Sequence, residues 1–132
     1  MNYLLDTHTF LWAVFTPDKL GSTARTIIRD PAHPIYLSTI SFWEISLKYA
    51  LGKLELVGCV PDDLPEVALA MRLEFIFPEA AEAASFHRLP KLAHKDPFDR
   101  MLVWQAIHQG LCLVSKDSRF ADYQPLGLHT IW

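Results

Sequence analysis

Short runs rich in apolar residues alternate with longer amphipathic stretches along this chain of 132 residues. Such short runs are typical of buried strands, and they fall at 3–5, 35–37, 74–77, 111–115 and 128–131. The stretches between them carry helix start and stop signals. Strands that alternate with helices predict an α/β fold with a parallel sheet.

The most clearly bounded helix is predicted over 97–109. Asp96 is a favourable N-cap residue, Pro97 suits the first turn, and Gly110 suits the position just after a helix. Other helices are predicted over 9–15 and 22–30. Three more are predicted: one after the second strand that ends at about 51, one that begins at about 64, and an alanine-rich one that ends at about 87.

Composition and charge narrow the class of protein. Apolar residues make up 51% of the chain and charged residues 20%, as in a folded globular protein, and the length predicts one domain over residues 1–132. The net charge of −3 argues against non-specific coating of nucleic acid, because such binding needs a surplus of Lys and Arg. It does not exclude a nucleic-acid enzyme whose acids hold metal ions.

No segment predicts a membrane or secreted protein. The apolar runs are far shorter than the roughly 20 residues of a membrane span, and the N-terminus lacks the pattern of a secretory signal. The two cysteines, Cys59 and Cys112, are too few for a disulfide framework or a four-thiolate zinc site. A cytoplasmic location is the simplest expectation.

Acidic residues recur at the predicted strand ends and helix starts. Asp6 directly follows the first strand, Glu44 lies in the helix after the second, and Asp117 follows the 111–115 strand. Asp96 and Asp99 open the 97–109 helix. Because ligands of open α/β sheets bind at the carboxyl ends of the strands, we expect these acids to gather at one edge.

Each acid alone also has a purely structural explanation. Asp6 and Asp96 suit helix N-caps. Glu44 suits a capping box with Ser41 or an ion pair with Lys48. Capping explains the acids one at a time, but it does not explain why all of them fall on the same side of the predicted sheet.

A divalent-cation site explains the acids together. Neighbouring carboxylates raise one another's pKa unless a cation neutralises them, and oxygen ligands suit Mg²⁺ or Mn²⁺ rather than zinc. Such sites hydrolyse phosphodiesters. Basic residues beside the acids either hold substrate phosphates or are solvated surface charges; they are Lys48, Lys95, Arg100, Lys116 and Arg119.

Four segments of the chain form an ordered set. They are Leu4-Leu5-Asp6-Thr7-His8, Ser41-Phe42-Trp43-Glu44-Ile45, His94-Lys95-Asp96-Pro97-Phe98-Asp99-Arg100-Met101-Leu102 and Leu113-Val114-Ser115-Lys116-Asp117. Each motif alone is unspecific, but the set spans nearly the whole chain. Together the segments resemble PIN-domain proteins, and most closely the VapC-type toxins of prokaryotic toxin–antitoxin systems.

The resemblance implies a three-layer α/β/α sandwich around a central parallel sheet. It also implies a Mg²⁺- or Mn²⁺-dependent endoribonuclease that leaves a 5′-phosphate and a 3′-hydroxyl, with RNA as substrate and a cognate antitoxin as inhibitor. A homodimer or a toxin–antitoxin hetero-oligomer is expected. Carried over residue by residue, the catalytic and metal-binding acids are Asp6, Glu44, Asp99 and Asp117, with Asp96 as an additional candidate ligand.

Histidines and tryptophans add two smaller predictions. No pair of histidines has the spacing of zinc hydrolases, so we expect His8 and His94, each two residues from a candidate acid, to orient carboxylates through hydrogen bonds. The four tryptophans are predicted to be mostly core residues. The alternative for Trp12 and Phe15 is a partner-binding surface.

Other functions fit this pattern less well. A receiver-type phosphoacceptor signalling domain would place paired acids after its first strand, whereas Asp6 stands alone and Glu44 lies in a helix. An Asp-x-Asp phosphohydrolase would need an acid where the chain has His8. A non-enzymatic binding module, in which every acid is a cap, is the third alternative.

Overall fold

The central layer is a five-stranded parallel sheet. The computed structural model describes all residues, Met1–Trp132. Its strands are β1 (Tyr3–Leu5), β2 (Ile35–Ser38), β3 (Glu74–Ile76), β4 (Cys112–Val114) and β5 (His129–Ile131). They lie in the order β3-β2-β1-β4-β5, and every neighbouring pair is parallel. The predicted parallel sheet is therefore confirmed.

Six α-helices connect the strands. They are α1 (Thr7–Phe15), α2 (Ser22–Arg29), α3 (Thr39–Ala50), α4 (Leu64–Ala70), α5 (Ala80–Ser85) and α6 (Pro97–Gln109). Short 3-10 helices cover Pro17–Lys19, Pro61–Asp63, Phe86–Arg88 and Ser118–Leu126. Helix α6 has the predicted bounds, because the Asp96 side chain caps its first turn and Gly110 follows it at a φ of 65°. No helix is both long enough and apolar enough to cross a membrane.

Two apolar cores lie on opposite faces of the sheet. One packs Leu4 and Leu113 against α6 and the Ser118–Leu126 segment. The other packs Leu5 and Val114 against α1, α2, α3 and α4. Because successive strand residues point to opposite faces, each of these strands supplies one side chain to each core. The result is the expected three-layer α/β/α sandwich.

The middle strand of the sheet marks the place where a ligand is expected. The chain runs from β1 to β2 and β3 on one side, and then crosses to β4 and β5 on the other. The strand order therefore reverses between β1 and β4, and ligands of open α/β sheets bind outside the carboxyl ends of the strands at such a point. Asp6 follows β1 and Ser115 follows β4 there.

Two sequence predictions about α3 were wrong. The helix begins earlier than a capping box at Ser41 requires, since Ser38 is its N-cap and accepts the Ile40 N–H. Ser41 therefore lies inside the helix. Trp43 is 61% exposed rather than part of the core, because the buried positions of α3 are taken by Ser41, Glu44 and Ile45.

Candidate active site

An open pocket of about 490 Å³ contains the acids that follow β1 and β4. Four of its nine lining residues are aspartates: Asp6, Asp96, Asp99 and Asp117. The other five are His8, Trp12, Lys116, Ser118 and Arg119. The parallel topology thus brings together acids from the beginning, the last third and the end of the chain, as the sequence predicts.

Asp6 is held rigidly although it faces this pocket. It is 5% exposed. Its Oδ1 accepts the Thr9 N–H at 2.7 Å, which caps α1, and its Oδ2 accepts the Ser115 hydroxyl at 2.5 Å. Burial raises the pKa of Asp6, and the bonds from Ser115 and Thr9 offset part of that rise. Asp6 therefore both caps α1 and lines the pocket.

The start of α6 supplies Asp96 and Asp99. Asp96 Oδ1 accepts the N–H of Phe98 at 2.9 Å and that of Asp99 at 3.2 Å, as predicted for an N-cap. Asp99 Oδ2 lies 2.9 Å from His94 Nε2. Burial, followed by the charge of Asp96, raises the pKa of Asp99 to about 6. The ionised form of this carboxyl is therefore the form that a nearby cation would stabilise.

Asp117 lies at the exposed side of the pocket and is paired. Its Oδ2 accepts from Arg119 Nη2 at 2.7 Å, and its Oδ1 accepts from Arg119 Nε at 3.0 Å. The bond from Arg119 lowers the pKa of Asp117 below its ordinary value. Its N–H donates to Ser115 Oγ at 3.1 Å. Ser115 thus contacts both Asp6 and Asp117.

Glu44 lies beside the main pocket rather than in its lining. It is 2% exposed, and it lines a smaller cavity of about 210 Å³; His8 lines both cavities. The Thr7 hydroxyl donates to Glu44 Oε1 at 2.7 Å, and the Lys48 ammonium donates to Oε2. Lys48 Nζ also lies 3.9 Å from Asp96 Oδ2, so the predicted Glu44–Lys48 pair is confirmed and extended.

Lys48 is the basic residue that compensates this side of the site. Burial alone lowers the pKa of Lys48, but the bond to Glu44 and the charges of Glu44, Asp96 and Asp99 outweigh it and raise that pKa. Asp6 and Asp99 have no such Lys or Arg partner. The uncompensated carboxylates therefore lie in the main pocket.

The basic residues near the acids have different surroundings. Lys116 and Arg119 line the main pocket. Arg100 does not, since its guanidinium donates to the carbonyl oxygens of Leu89 at 3.0 Å and Pro90 at 3.3 Å. Arg100 therefore holds the loop before α6 rather than offering its donors to a substrate phosphate.

A tight group of possible ligand atoms lies within this region. One atom each from His94, Asp99 and Asp117 lies within 4.8 Å of the others. Two of the three are carboxylates, with buried Asp6 in the same pocket. This oxygen-rich donor set fits Mg²⁺ or Mn²⁺, and a bound cation would favour the ionised state that burial opposes at Asp6 and Asp99.

Comparison with known proteins identifies the family. A PIN domain family model matches residues 3–125. The chain belongs to the PIN domain family. Ribonuclease VapC22 of Mycobacterium tuberculosis is 30% identical to this PIN protein over 129 residues, which cover 98% of the chain and 97% of that relative. The family that the four sequence motifs resemble is therefore confirmed.

Solved structures contain the same fold. The structure of VapBC2 from Rickettsia felis, bound to a DNA fragment from their promoter, matches this PIN protein with a TM-score of 0.70 at 19% identity, covering 99% of the chain and 98% of that chain. The DNA-bound VapBC from Salmonella typhimurium matches with a TM-score of 0.63 at 20% identity, covering 99% and 97%. The predicted PIN-like sandwich is confirmed.

Trp12 is a pocket residue of this PIN protein that the sequence pattern does not predict. The pattern predicts a core residue or part of a partner surface, whereas Trp12 lines the same cavity as Asp6. A usable signal was present, because His8 and Trp12 are four residues apart and therefore share a helix face. Their ring centroids are 5.9 Å apart. The Thr7–Glu44 hydrogen bond had no local signal, since 37 residues separate its partners.

Proposed function

We propose that this PIN protein is a VapC-type endoribonuclease toxin, dependent on Mg²⁺ or Mn²⁺ and inhibited by a cognate antitoxin. The observation that carries the proposal is the convergence of Asp6, Asp99 and Asp117 in one open pocket. Similarity to Ribonuclease VapC22 supports an RNA substrate. The VapBC structures support an antitoxin partner. We further propose one domain over residues 1–132, acting as a homodimer or a toxin–antitoxin hetero-oligomer.

The acids would hold one or two divalent ions. Asp6, Glu44, Asp99 and Asp117 are the proposed ligands, directly or through water, with Asp96 as an additional ligand. When bound, the ion polarises a phosphoryl oxygen and lowers the pKa of the water that attacks phosphorus. Burial and the neighbouring charge of Asp96 raise the pKa of Asp99, and a cation bound at this carboxyl would offset the repulsion between the two carboxylates.

Basic residues at the pocket would bind the substrate backbone. Lys116 and Arg119 line it beside the acids, and Arg119 is oriented by its bonds to Asp117. We assign these two side chains to phosphates that flank the scissile one. Contacts of this kind fix the register of a nucleic acid without reading its sequence.

Trp12 would hold an unpaired nucleobase next to the scissile phosphate. It is the one hydrophobic residue that lines the pocket. Trp132 packs against it edge-on, with ring centroids 5.7 Å apart, and the Lys19 and Lys116 ammonium groups each lie 6.0 Å from its ring centroid. An aromatic ring among cations is how single-stranded nucleic acid is commonly bound, since bases stack on the ring and phosphates contact the cations.

The receiver alternative is not favoured by the sheet. Receiver-type folds have the strand order 2-1-3-4-5, whereas this sheet has the order β3-β2-β1-β4-β5. Phe77 and Pro78 follow β3, where the third strand of a receiver would be followed by the acceptor aspartate.

Cleavage of single-stranded RNA by the purified protein tests the proposal. We expect cleavage in Mg²⁺ or Mn²⁺, none in EDTA, and products with 5′-phosphate ends. Asp6→Asn should abolish cleavage while circular dichroism stays native, and Asp18→Asn, at an exposed acid outside the pocket, should cleave normally. Native-like cleavage by Asp6→Asn at saturating Mg²⁺ would contradict the proposal. In bacteria, growth arrest on expression should be relieved by the same Asp6→Asn substitution.

A further inference from the structure

We infer that His94 is a positioning residue: its Nε2–H donates to Asp99 Oδ2 and fixes that carboxylate at the proposed metal site, and the imidazole is not itself a ligand. The inference rests on the proposed metal-dependent function. The inference adds to that function a role for a residue that is not an acid and does not line the main pocket.

His94 is almost completely buried. It is 1% exposed although the loop that carries it lies at the protein surface. Its ring packs against Phe120 with centroids 4.9 Å apart and lies 6.4 Å from the ring of Tyr123. Its Nε2 lies 2.9 Å from Asp99 Oδ2. Two aromatic rings and one carboxylate therefore fix the orientation of the imidazole.

The two ring nitrogens of His94 are not equivalent. Nδ1 is buried and has no hydrogen-bond partner in the protein. A histidine that binds a metal through one nitrogen keeps its proton on the other, and that N–H almost always donates to a carboxylate, a carbonyl or water. If Nε2 bound the ion, Nδ1 would carry a buried N–H with no protein acceptor, which is costly.

The other tautomer leaves no N–H of the ring unpaired. With the proton on Nε2, the only N–H of the ring is used by Asp99 Oδ2, and the unpartnered Nδ1 carries a lone pair rather than an N–H. Asp99 loses one of about four lone-pair positions to this bond and keeps the rest for a cation. The proximity of His94 to both Asp99 and Asp117 then reflects its support of the ligand set rather than membership in it.

The position of His94 in the chain suits this role. It precedes α6 by three residues, and Asp99 lies in the first turn of that helix. Asp96, between them, caps the helix through the N–H groups of Phe98 and Asp99. The His94 bond therefore holds the side chain of Asp99, and the Asp96 cap holds its backbone N–H.

Two substitutions separate the proposed role from a general packing role. His94→Gln keeps an N–H donor on a side chain of similar reach, and His94→Leu keeps an apolar, buried side chain without a donor. His87→Leu, at an exposed histidine of the Phe86–Arg88 segment, is the matched control. Mn²⁺ affinity is measured by calorimetry, and the Mn²⁺-loaded native protein is examined by pulsed electron paramagnetic resonance for coupling to a directly bound ¹⁴N nucleus.

We expect no directly bound nitrogen in the native protein. We expect His94→Leu to weaken Mn²⁺ binding by about 10- to 100-fold, with His94→Gln much closer to native and His87→Leu unchanged. Strong ¹⁴N coupling in the native protein, or native Mn²⁺ affinity in His94→Leu, would overturn the inference. The spectroscopic test needs no variant, so it decides even if His94→Leu fails to fold. Absence of Mn²⁺ uptake by the native protein would instead overturn the proposed function, and this inference with it.

Discussion

The Ser115 hydroxyl donates to Asp6 Oδ2 at 2.5 Å across 109 positions of sequence. The contact follows from the sheet. Leu5 and Val114 are paired in register at the ends of β1 and β4, and Asp6 and Ser115 are the residues that follow them. The same Ser115 oxygen accepts the Asp117 N–H. One small side chain thus sets the relative positions of the first and the last acid of the pocket.

Ser115→Ala is expected to lower both stability and activity. The substitution leaves a buried carboxylate oxygen without its donor, which costs roughly 1–3 kcal/mol, measured by urea unfolding. The Ser115 bond lowers the pKa of Asp6, so its loss should also move the acidic limb of the cleavage pH profile to higher pH. Ser46→Ala, at an exposed serine of α3, should stay within about 0.5 kcal/mol of native. Equal effects of the two substitutions on stability and cleavage would contradict a special role of Ser115 in holding Asp6.

Two substitutions at Asp96 separate its cap from its charge. Asp96→Asn keeps an N-cap oxygen for Phe98 and Asp99, so we expect a stability loss on the order of 1 kcal/mol or less. Asp96→Ala removes the cap and should cost about 0.5–2 kcal/mol. If Asp96→Asn melts normally yet stops RNA cleavage, then Asp96 belongs among the metal ligands; if it cleaves normally, Asp96 is only a cap.

Asp99→Asn is expected to stabilise the metal-free protein at alkaline pH. The folded-state pKa of Asp99 is raised from 3.8 to about 6, so its favourable contribution is present below pH 4 and is lost as the pH rises through about 6. An asparagine has no such loss. The variant should therefore exceed native by on the order of 1–3 kcal/mol at pH 8, and the difference should shrink toward pH 4.

Urea unfolding in EDTA at pH 4, 6 and 8 checks this prediction. Asp18→Asn, at an exposed acid, serves as the control and should show no such pH-dependent gain. Saturating Mn²⁺ at pH 8 should reverse the order, because only the native carboxylate gains from the ion. If Asp99→Asn were less stable than the native protein at pH 8 without metal, burial would not be destabilising the ionised Asp99 carboxylate.

Trp12→Ala is expected to weaken substrate binding more than chemistry. Loss of a stacking surface is worth about 1–3 kcal/mol per base, so KM for a short single-stranded RNA should rise roughly 5- to 150-fold with a smaller change in kcat. Trp12→Phe should recover most of the affinity. Trp43→Ala removes an exposed indole that does not line the pocket. A KM increase at Trp43 but not at Trp12 would move the RNA path away from the pocket.

Local patterns in the sequence account for most of the fold and for the set of acids. The bounds of α6 follow from Asp96, Pro97 and Gly110, which act within a few residues of one another. The gathering of Asp6 and Asp117 follows from parallel strands alone, because residues after paired strand ends must be neighbours. The sequence pattern predicts a common edge for these acids, and the direct pairing of β1 with β4 makes them neighbours there.

The remaining features depend on long-range contacts that periodicity does not report. Glu44 lies in its own cavity because Thr7, 37 residues away, and Lys48 hold its two oxygens. The sequence makes Arg100 a candidate phosphate ligand, but in the fold its guanidinium donates to carbonyl oxygens of the preceding loop. The role of His94 likewise depends on which side of its ring meets Asp99.

Calorimetric titration of Mn²⁺ into the native protein at pH 7.5 measures whether acids from distant parts of the chain form one cation site. We predict saturable uptake by the native chain, at least about tenfold weaker uptake by Asp6→Asn, and native uptake by Asp18→Asn. A native protein that takes up no Mn²⁺ and no Mg²⁺, or an Asp6→Asn variant that binds Mn²⁺ as tightly as native, would contradict it.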